Sequence, residues 1–368
     1  MTDPYGIALL DWLACAARGR SERAAVAAAR AGDGLLDRVA AAGAAGHVLD
    51  YDDTWTPGLV HLSAPTAPAA LVLAAEAGAT VGVARRAYAA GFEAMAALSR
   101  ASHPALYDAG RHPTALCGTV GAAVAAGAVL GFGEEAQDAA GALALVGAGG
   151  LLAAFGSDAK ALQVGMAAAT GVQAALLAAG GARPHPPERY APALGVTWAR
   201  PGGERAIDSN WIKAYPCCLQ THTAIEAALR ARPRDGRVEV TVHPLARAAA
   251  AVDVPEDGLQ AKFSLPYLVA FALERGAPGV DDFAGVGEVD LARVTVAVDP
   301  GLGEQEAVLS AGGEEVARVT FALGSPERPM GAEQLAAKVH DLARDRLDAV
   351  LDDAERPAGE VLEAAGLA

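Results

Sequence analysis

Three stretches without one charged side chain, Pro113–Phe132, Ala139–Ser157 and Ala161–Ala182, constrain this chain most. Each is about as long as a helix that crosses a bilayer, so each must be buried in lipid or in protein. Alanine and glycine fill them, leucine and phenylalanine are sparse, and neither aromatic belts nor basic flanks fix a membrane orientation. The series Gly118, Gly121, Gly127 and Gly131 instead predicts helices whose backbones approach closely inside a soluble protein. No membrane partner is expected. Hydrophobic residues make up 52% of the chain but aromatics only 5%, so small side chains must fill the helix contacts.

Charge narrows the function classes. Of 368 residues, 29 are Lys or Arg and 44 are Asp or Glu, a formal net charge of −15. General nucleic-acid binding and docking on an anionic membrane both need a basic face and are not expected. A chain this acidic that binds an acidic small molecule must concentrate its few cations locally. Lysine occurs only at Lys160, Lys213, Lys262 and Lys338. Arginine serves elsewhere, so these four either mark places that need a compact ammonium or survive by chance on a solvated surface. The cysteines Cys15, Cys117, Cys217 and Cys218 match no disulfide framework, CxxC pair or iron–sulfur spacing. The reducing cytoplasm is the expected compartment, and the N-terminus shows no basic region ahead of an apolar run, hence no expected signal peptide.

Up to about Ala182 the pattern is helical, with expected helices at Ile7–Ala17, Glu22–Ala31, Ala67–Glu76, Val81–Ser99, Thr114–Leu130, Glu134–Ala154 and Ala159–Leu177. Gly180–Pro187 is a breaker cluster and a domain boundary by composition. Beyond it, Arg237–His243, Ala292–Val298, Glu306–Ser310 and Glu315–Ala322 alternate as strands do. Helices are expected around Leu219–Ala231 and Leu265–Glu274, and Ala332–Asp352 resumes the early alanine-rich pattern. No phosphate-binding glycine loop follows a strand, so no nucleotide cofactor is expected.

Polar residues gather in five short clusters. Asp50, Asp52, Asp53 and His61, in one run with Thr54, could form an acid/base set of three carboxylates and a histidine if burial or neighbours shift their pKa values; the alternative is a polar loop capped by Ser63 or Thr66. Arg111 and His112 precede a helix whose N-terminus would receive a carboxylate, unless Thr114 is simply its N-cap. Lys160 occupies a first helical turn, where a cation opposes the dipole. Gln163 follows it. Lys213, Cys217, Cys218 and His222 form the fourth cluster, a poor tetrahedral zinc set, so no metal is expected. Lys262 and Tyr267 belong to the fifth.

The runs YDDTWTPGLVHLSAP, GRHPTALCGTVGAAVAAGAVLGF, GSDAKALQVGMAAATGVQAALLAAGG, KAYPCCLQTHTAIEAAL and AKFSLPYLVAFALERG, in this order, resemble the MmgE/PrpD family. That family includes 2-methylcitrate dehydratases, cis-aconitate decarboxylases and iminodisuccinate epimerases. The resemblance spans roughly Ile7 to Ala322. It implies a mainly α fold: a helical domain of residues 1–205 and 326–368, a smaller α/β lid domain of residues 206–325, a site in the cleft between them, and a homodimer. By motif position it implies site residues Asp50, Thr54, His61, His112, Lys160, His222 and Tyr267. Leu62 stands where the family usually has proline, and Gln163 where many members have histidine.

These residue types suit removal of a proton from carbon next to a carboxylate, without metal or organic cofactor. Lys160, Arg111 and Lys213 would hold carboxylates of a small di- or tricarboxylate, and His61, His222 and Asp50 would move protons. Tyr267 would donate a hydrogen bond once the lid closes. A dehydratase of the 2-methylcitrate type is the leading expectation. Epimerisation and decarboxylation need the same groups, and an inactive helical protein keeping the fold is the non-enzymatic alternative.

Overall fold

The computed structural model describes residues 3–231 and 236–368. Residues 1–2 and 232–235, within the ranges expected for the helical and lid domains, lie outside the described residues. The helix Pro113–Val129 is apolar on every side and buried along almost its whole length, as such a helix must be. Helices Ser63–Glu76, Val81–Ser102, Glu134–Gly147 and Asp158–Ala179 pack around it. Glycine permits the close approach: a Cβ on Gly121 would lie 2.7 Å from Met95 Cβ, and one on Gly171 2.5 Å from the Thr119 carbonyl oxygen. Gly131 serves differently, turning the chain at φ +73°.

The helix Leu35–His47 crosses Asp158–Ala179 at Gly43 and Gly165, where a Cβ on Gly165 would lie 2.2 Å from the Ala40 carbonyl oxygen. That crossing brings His47 to Lys160. The C-terminal helices Ala332–Ala343 and Ala358–Ala365 return to pack on Pro4–Gly19 and Ser63–Glu76.

A second apolar core runs from Tyr215 to Val319, separate from the helical core of residues Ala8–Ile207 and Val339–Ala365. Its sheet has strands β1 (Val238–Val242), β2 (Val294–Val298), β3 (Ala307–Ala311) and β4 (Glu314–Val319), in the order β2-β1-β3-β4. β1 runs parallel to β2 and antiparallel to β3, which pairs antiparallel with β4. Val238, Val240 and Val242 alternate into the core, under helices His222–Ala231 and Leu265–Glu274. The fold is mainly α with a smaller α/β part, as the sequence predicts.

Several elements differ from expectation. The helix Leu35–His47 is unanticipated, and Glu134–Ala154 ends early at Gly147, before Gly150 takes φ +139°. Ala332–Asp352 stops at Ala343, because Arg344 adopts φ +54°, and Ala358–Ala365 is an unexpected last helix. Among the described residues one helix, Asp158–Ala179, is long and apolar enough to cross a membrane, and half of its apolar window is buried against protein.

Gly165→Ala is expected to lower the unfolding free energy by about 1–3 kcal/mol, since its Cβ would overlap backbone. Urea unfolding followed by circular dichroism checks this; an unchanged midpoint would mean the two helices part without cost.

Candidate active site

After the helix Leu35–His47 the chain turns through Asp50 at φ +53°, a region that side-chain-bearing residues rarely enter. All four lysines converge on this turn. Lys262 Nζ donates to the Leu49 carbonyl at 2.7 Å, Lys213 Nζ to that of Asp50, and Lys338 Nζ to that of Tyr51 at 2.8 Å. Lys160 Nζ pairs with the Asp50 carboxylate at 2.8 Å. None is more than 6% exposed, so chance survival on a solvated surface does not describe them. A slender ammonium with three tetrahedral donors caps a buried carbonyl that a planar guanidinium fork would not fit. Lys338 also holds the buried Asp11 carboxylate at 2.6 Å and lies 3.8 Å over the Tyr51 ring.

Asp52 is the second organising group. Its carboxylate accepts from His47 Nδ1 at 2.9 Å and lies 3.2 Å from His61 Nδ1. Burial alone would raise its pKa, but the two imidazoles hold it well below the usual carboxylate value. Asp50 is similarly depressed by Lys160 and Lys213 against the opposing effect of burial. Burial and the Lys160 ammonium 3.0 Å from Nε2 lower His47 to about 4. Neutral His47 therefore donates Nδ1–H to Asp52 and accepts from Lys160 through Nε2.

His61 has a carboxylate at each end, Asp52 beside Nδ1 and Asp50 Oδ1 3.7 Å from Nε2. Its backbone N–H donates to Thr114 Oγ1, and Thr54 Oγ1 lies 3.4 Å from Nδ1. With Nδ1–H committed to Asp52, Nε2 is the atom that can take a proton. Asp50 Oδ2 is buried and has no protein partner.

Gln163 determines the tautomer of His112. Its Oε1 accepts the Leu151 N–H at 2.9 Å, which turns its amide nitrogen toward His112 Nδ1 at 2.7 Å. Nδ1 must accept, so the proton of His112 sits on Nε2. Burial and Lys160 push its pKa well below 6.5, so the ring stays neutral.

Asp50, Thr54, His61, His112 and Lys160 line one cavity of about 70 Å³, which Cys218 and Phe263 of the second core close together with Leu219, Gln220 and Leu245. Of the residues expected from sequence, these five are brought together there and Gln163 and Lys213 stand directly behind them. Three are placed elsewhere. Arg111 is half-buried, bridges Leu151 through its backbone, and is not on the wall. His222 is wholly buried, with Nε2 3.3 Å from the Cys217 carbonyl and Nδ1 unpartnered. The Tyr267 hydroxyl accepts the Gly287 N–H at 3.0 Å and its ring packs on Phe271. Both belong to the second core rather than the cavity.

Sequence reasoning missed His47, and it placed Asp52 in the acid/base cluster without seeing that it orients two imidazoles. His47 lies three residues before Asp50, at the end of the helix the periodicity did not reveal. His47, Asp52 and His61 also offer ligand atoms within 4.8 Å of one another, among the described residues the only such group. Both imidazoles already direct Nδ1 at Asp52 and an ammonium stands 3.0 Å from His47, so a cation there would displace two hydrogen bonds.

Burial and Lys213 lower His222 to about 3. A lowered histidine contributes stability that is complete above its unfolded value of about 6.5 and is lost as pH falls toward the folded value. At pH 5 this loss is about 2 kcal/mol. His222→Gln is therefore expected to reduce by about that amount the stability lost between pH 7 and pH 5, measured by guanidinium unfolding. An unaltered pH slope would show that folded His222 titrates as it does unfolded.

The model of the MmgE/PrpD N-terminal domain matches residues 35–197, and that of the MmgE/PrpD C-terminal domain matches residues 215–364. No curated protein matches the sequence. The two matches cover most of the chain in order, including the turn, Asp52, His61, His112 and Lys160, and the chain belongs to the MmgE/PrpD family of lyase-type enzymes.

Proposed function

We propose that this chain is a cofactor-independent hydro-lyase that removes a proton from carbon next to a carboxylate and eliminates the hydroxyl of the adjacent carbon as water. The observation that carries the reading is His61 between two carboxylates on a cavity wall beside Lys160. Lys160 holds the substrate carboxylate, where negative charge grows as the C–H bond breaks. His61 Nε2 takes that proton while Asp52 keeps the ring oriented and stabilises the imidazolium. The same proton passes to the departing hydroxyl, which leaves as water, and the carbon–carbon double bond forms. His112 Nε2–H is a neutral donor for a substrate oxygen. The resemblance names di- and tricarboxylates, 2-methylcitrate first, as compounds to screen beside simpler hydroxy acids, and the cytoplasm is the setting.

Incubation with hydroxy acids in D2O tests the chemistry. A lyase labels the carbon next to the carboxylate and yields an unsaturated product absorbing in the near ultraviolet, whereas inversion with label but no absorbance would reassign the chain as an epimerase. Lys160→Met and Asp52→Asn should each lower kcat/KM by about a hundredfold, the loss of a charged contact worth roughly 3 kcal/mol, and exhaustive chelation should leave activity intact. Full exchange in His61→Gln would remove His61 from the role of base.

A homodimer is the assembly we propose. Exposed Met166 and Leu177 share a face of the helix Asp158–Ala179, with exposed Leu151 beside Gln163 and Val146 next to the Gly147–Thr170 contact. This apolar strip fits a second copy. Sedimentation equilibrium should give a dimer for the native chain and a monomer for Met166→Glu; a monomeric native chain would overturn the assembly.

A further inference from the structure

Of the three cations expected to hold carboxylates, Lys160, Arg111 and Lys213, only Lys160 lines the cavity with a donor to spare. Lys213 and Lys262 spend their ammonium groups on the Asp50 and Leu49 carbonyls, and Arg111 is off the wall. Among the described residues no arginine lines the cavity, which leaves Lys160 as its one cationic side chain. Of three N–H donors on Lys160, one goes to Asp50 and one to His47, so a single donor remains for a ligand. It stands between aromatic faces, 5.3 Å from the Phe155 ring centre and 5.6 Å from that of Phe263.

The rest of the wall is mostly apolar. Leu59, Tyr107, Phe155, Leu219, Leu245 and Phe263 contribute to it. Asp50 Oδ2, buried and unpartnered, is an acceptor for a hydroxyl group and repels a further carboxylate. The neutral imidazole of His112 supplies no charge.

Resting on the lyase reading above, we infer that the substrate is a hydroxy acid with one carboxylate, held at Lys160, and an apolar remainder, rather than a citrate-like tricarboxylate. The free Lys160 N–H takes one carboxylate oxygen, Asp50 receives the hydroxyl, and the carbon chain lies along the leucines and phenylalanines. A second and third carboxylate would be desolvated against apolar surface with no cation to meet them.

Calorimetric titration of the whole chain with butyrate, hexanoate, succinate and tricarballylate tests this without turnover. Hexanoate is expected to bind about tenfold more tightly than butyrate, because two more methylenes are buried, and at least tenfold more tightly than tricarballylate. Lys160→Met should abolish hexanoate binding. Leu245→Arg, which adds a cation to the wall, should raise tricarballylate affinity at least tenfold. Tricarballylate binding most tightly to the native chain, or no binding by any of the four, would overturn the inference. Hexanoate binding in the expected order with no deuterium exchange into any hydroxy acid would leave this specificity standing and overturn the lyase reading instead.

Discussion

The left-handed turn at Asp50 is the constraint on which the site depends. A backbone held at φ +53° by a residue other than glycine persists only where its surroundings over-determine it, and here they do. Three consecutive carbonyls, Leu49, Asp50 and Tyr51, each receive an ammonium from a different part of the chain. Lys213 and Lys262 reach in from the side of the second core and Lys338 from a C-terminal helix, so this one turn ties together segments hundreds of residues apart. The turn in turn aims the Asp50 carboxylate into the cavity and leaves Asp52 behind it to orient two imidazoles. Loss of any one cap would leave a buried polar group unpaired and move catalytic atoms as well as cost stability.

The same arrangement reconciles an acidic protein with an anionic ligand. Four buried ammonium groups surround three carboxylates, Asp11, Asp50 and Asp52, while burial and the neighbouring Asp52 raise Asp53 to about 8 and keep it protonated at neutral pH. His47 and His112 stay neutral because burial and Lys160 disfavour a second positive charge nearby. The small cationic excess is internal and local, within a chain whose formal charge is −15. Desolvated charges interact strongly at such depth, so few cations suffice, provided they do not point at solvent.

Much of this is legible in the residues alone. Charge-free, glycine-studded runs announce closely packed helices, and Gly118 and Gly121 do face neighbouring helices at distances only glycine allows. Motifs at helix ends announce Asp50, Thr54, His61, His112 and Lys160. Direction is what residue spacing hides. Tyr267 and His222 sit in motifs as specific as the others, yet their side chains turn into the second core, because nothing in spacing says which way a side chain faces once two layers meet. The helix Leu35–His47 is hidden because Gly43 and Gly46 carry no side chain to mark a periodic face, although these are the residues that let it approach Gly165 and Trp12. Gln163 departs from the family pattern, but orienting His112 needs only a donor at the right place, and its amide supplies one.

The scarcity and burial of lysine have a practical corollary. Every lysine lies at 6% exposure or less, so an amine-directed reagent meets no lysine on the folded surface. Acylation of these side chains must wait for the chain to open, and its rate then follows the opening of the Asp50 turn itself. Covalent amine labelling thus becomes a clock for local opening, with the four lysines as built-in reporters on the segments that the turn gathers.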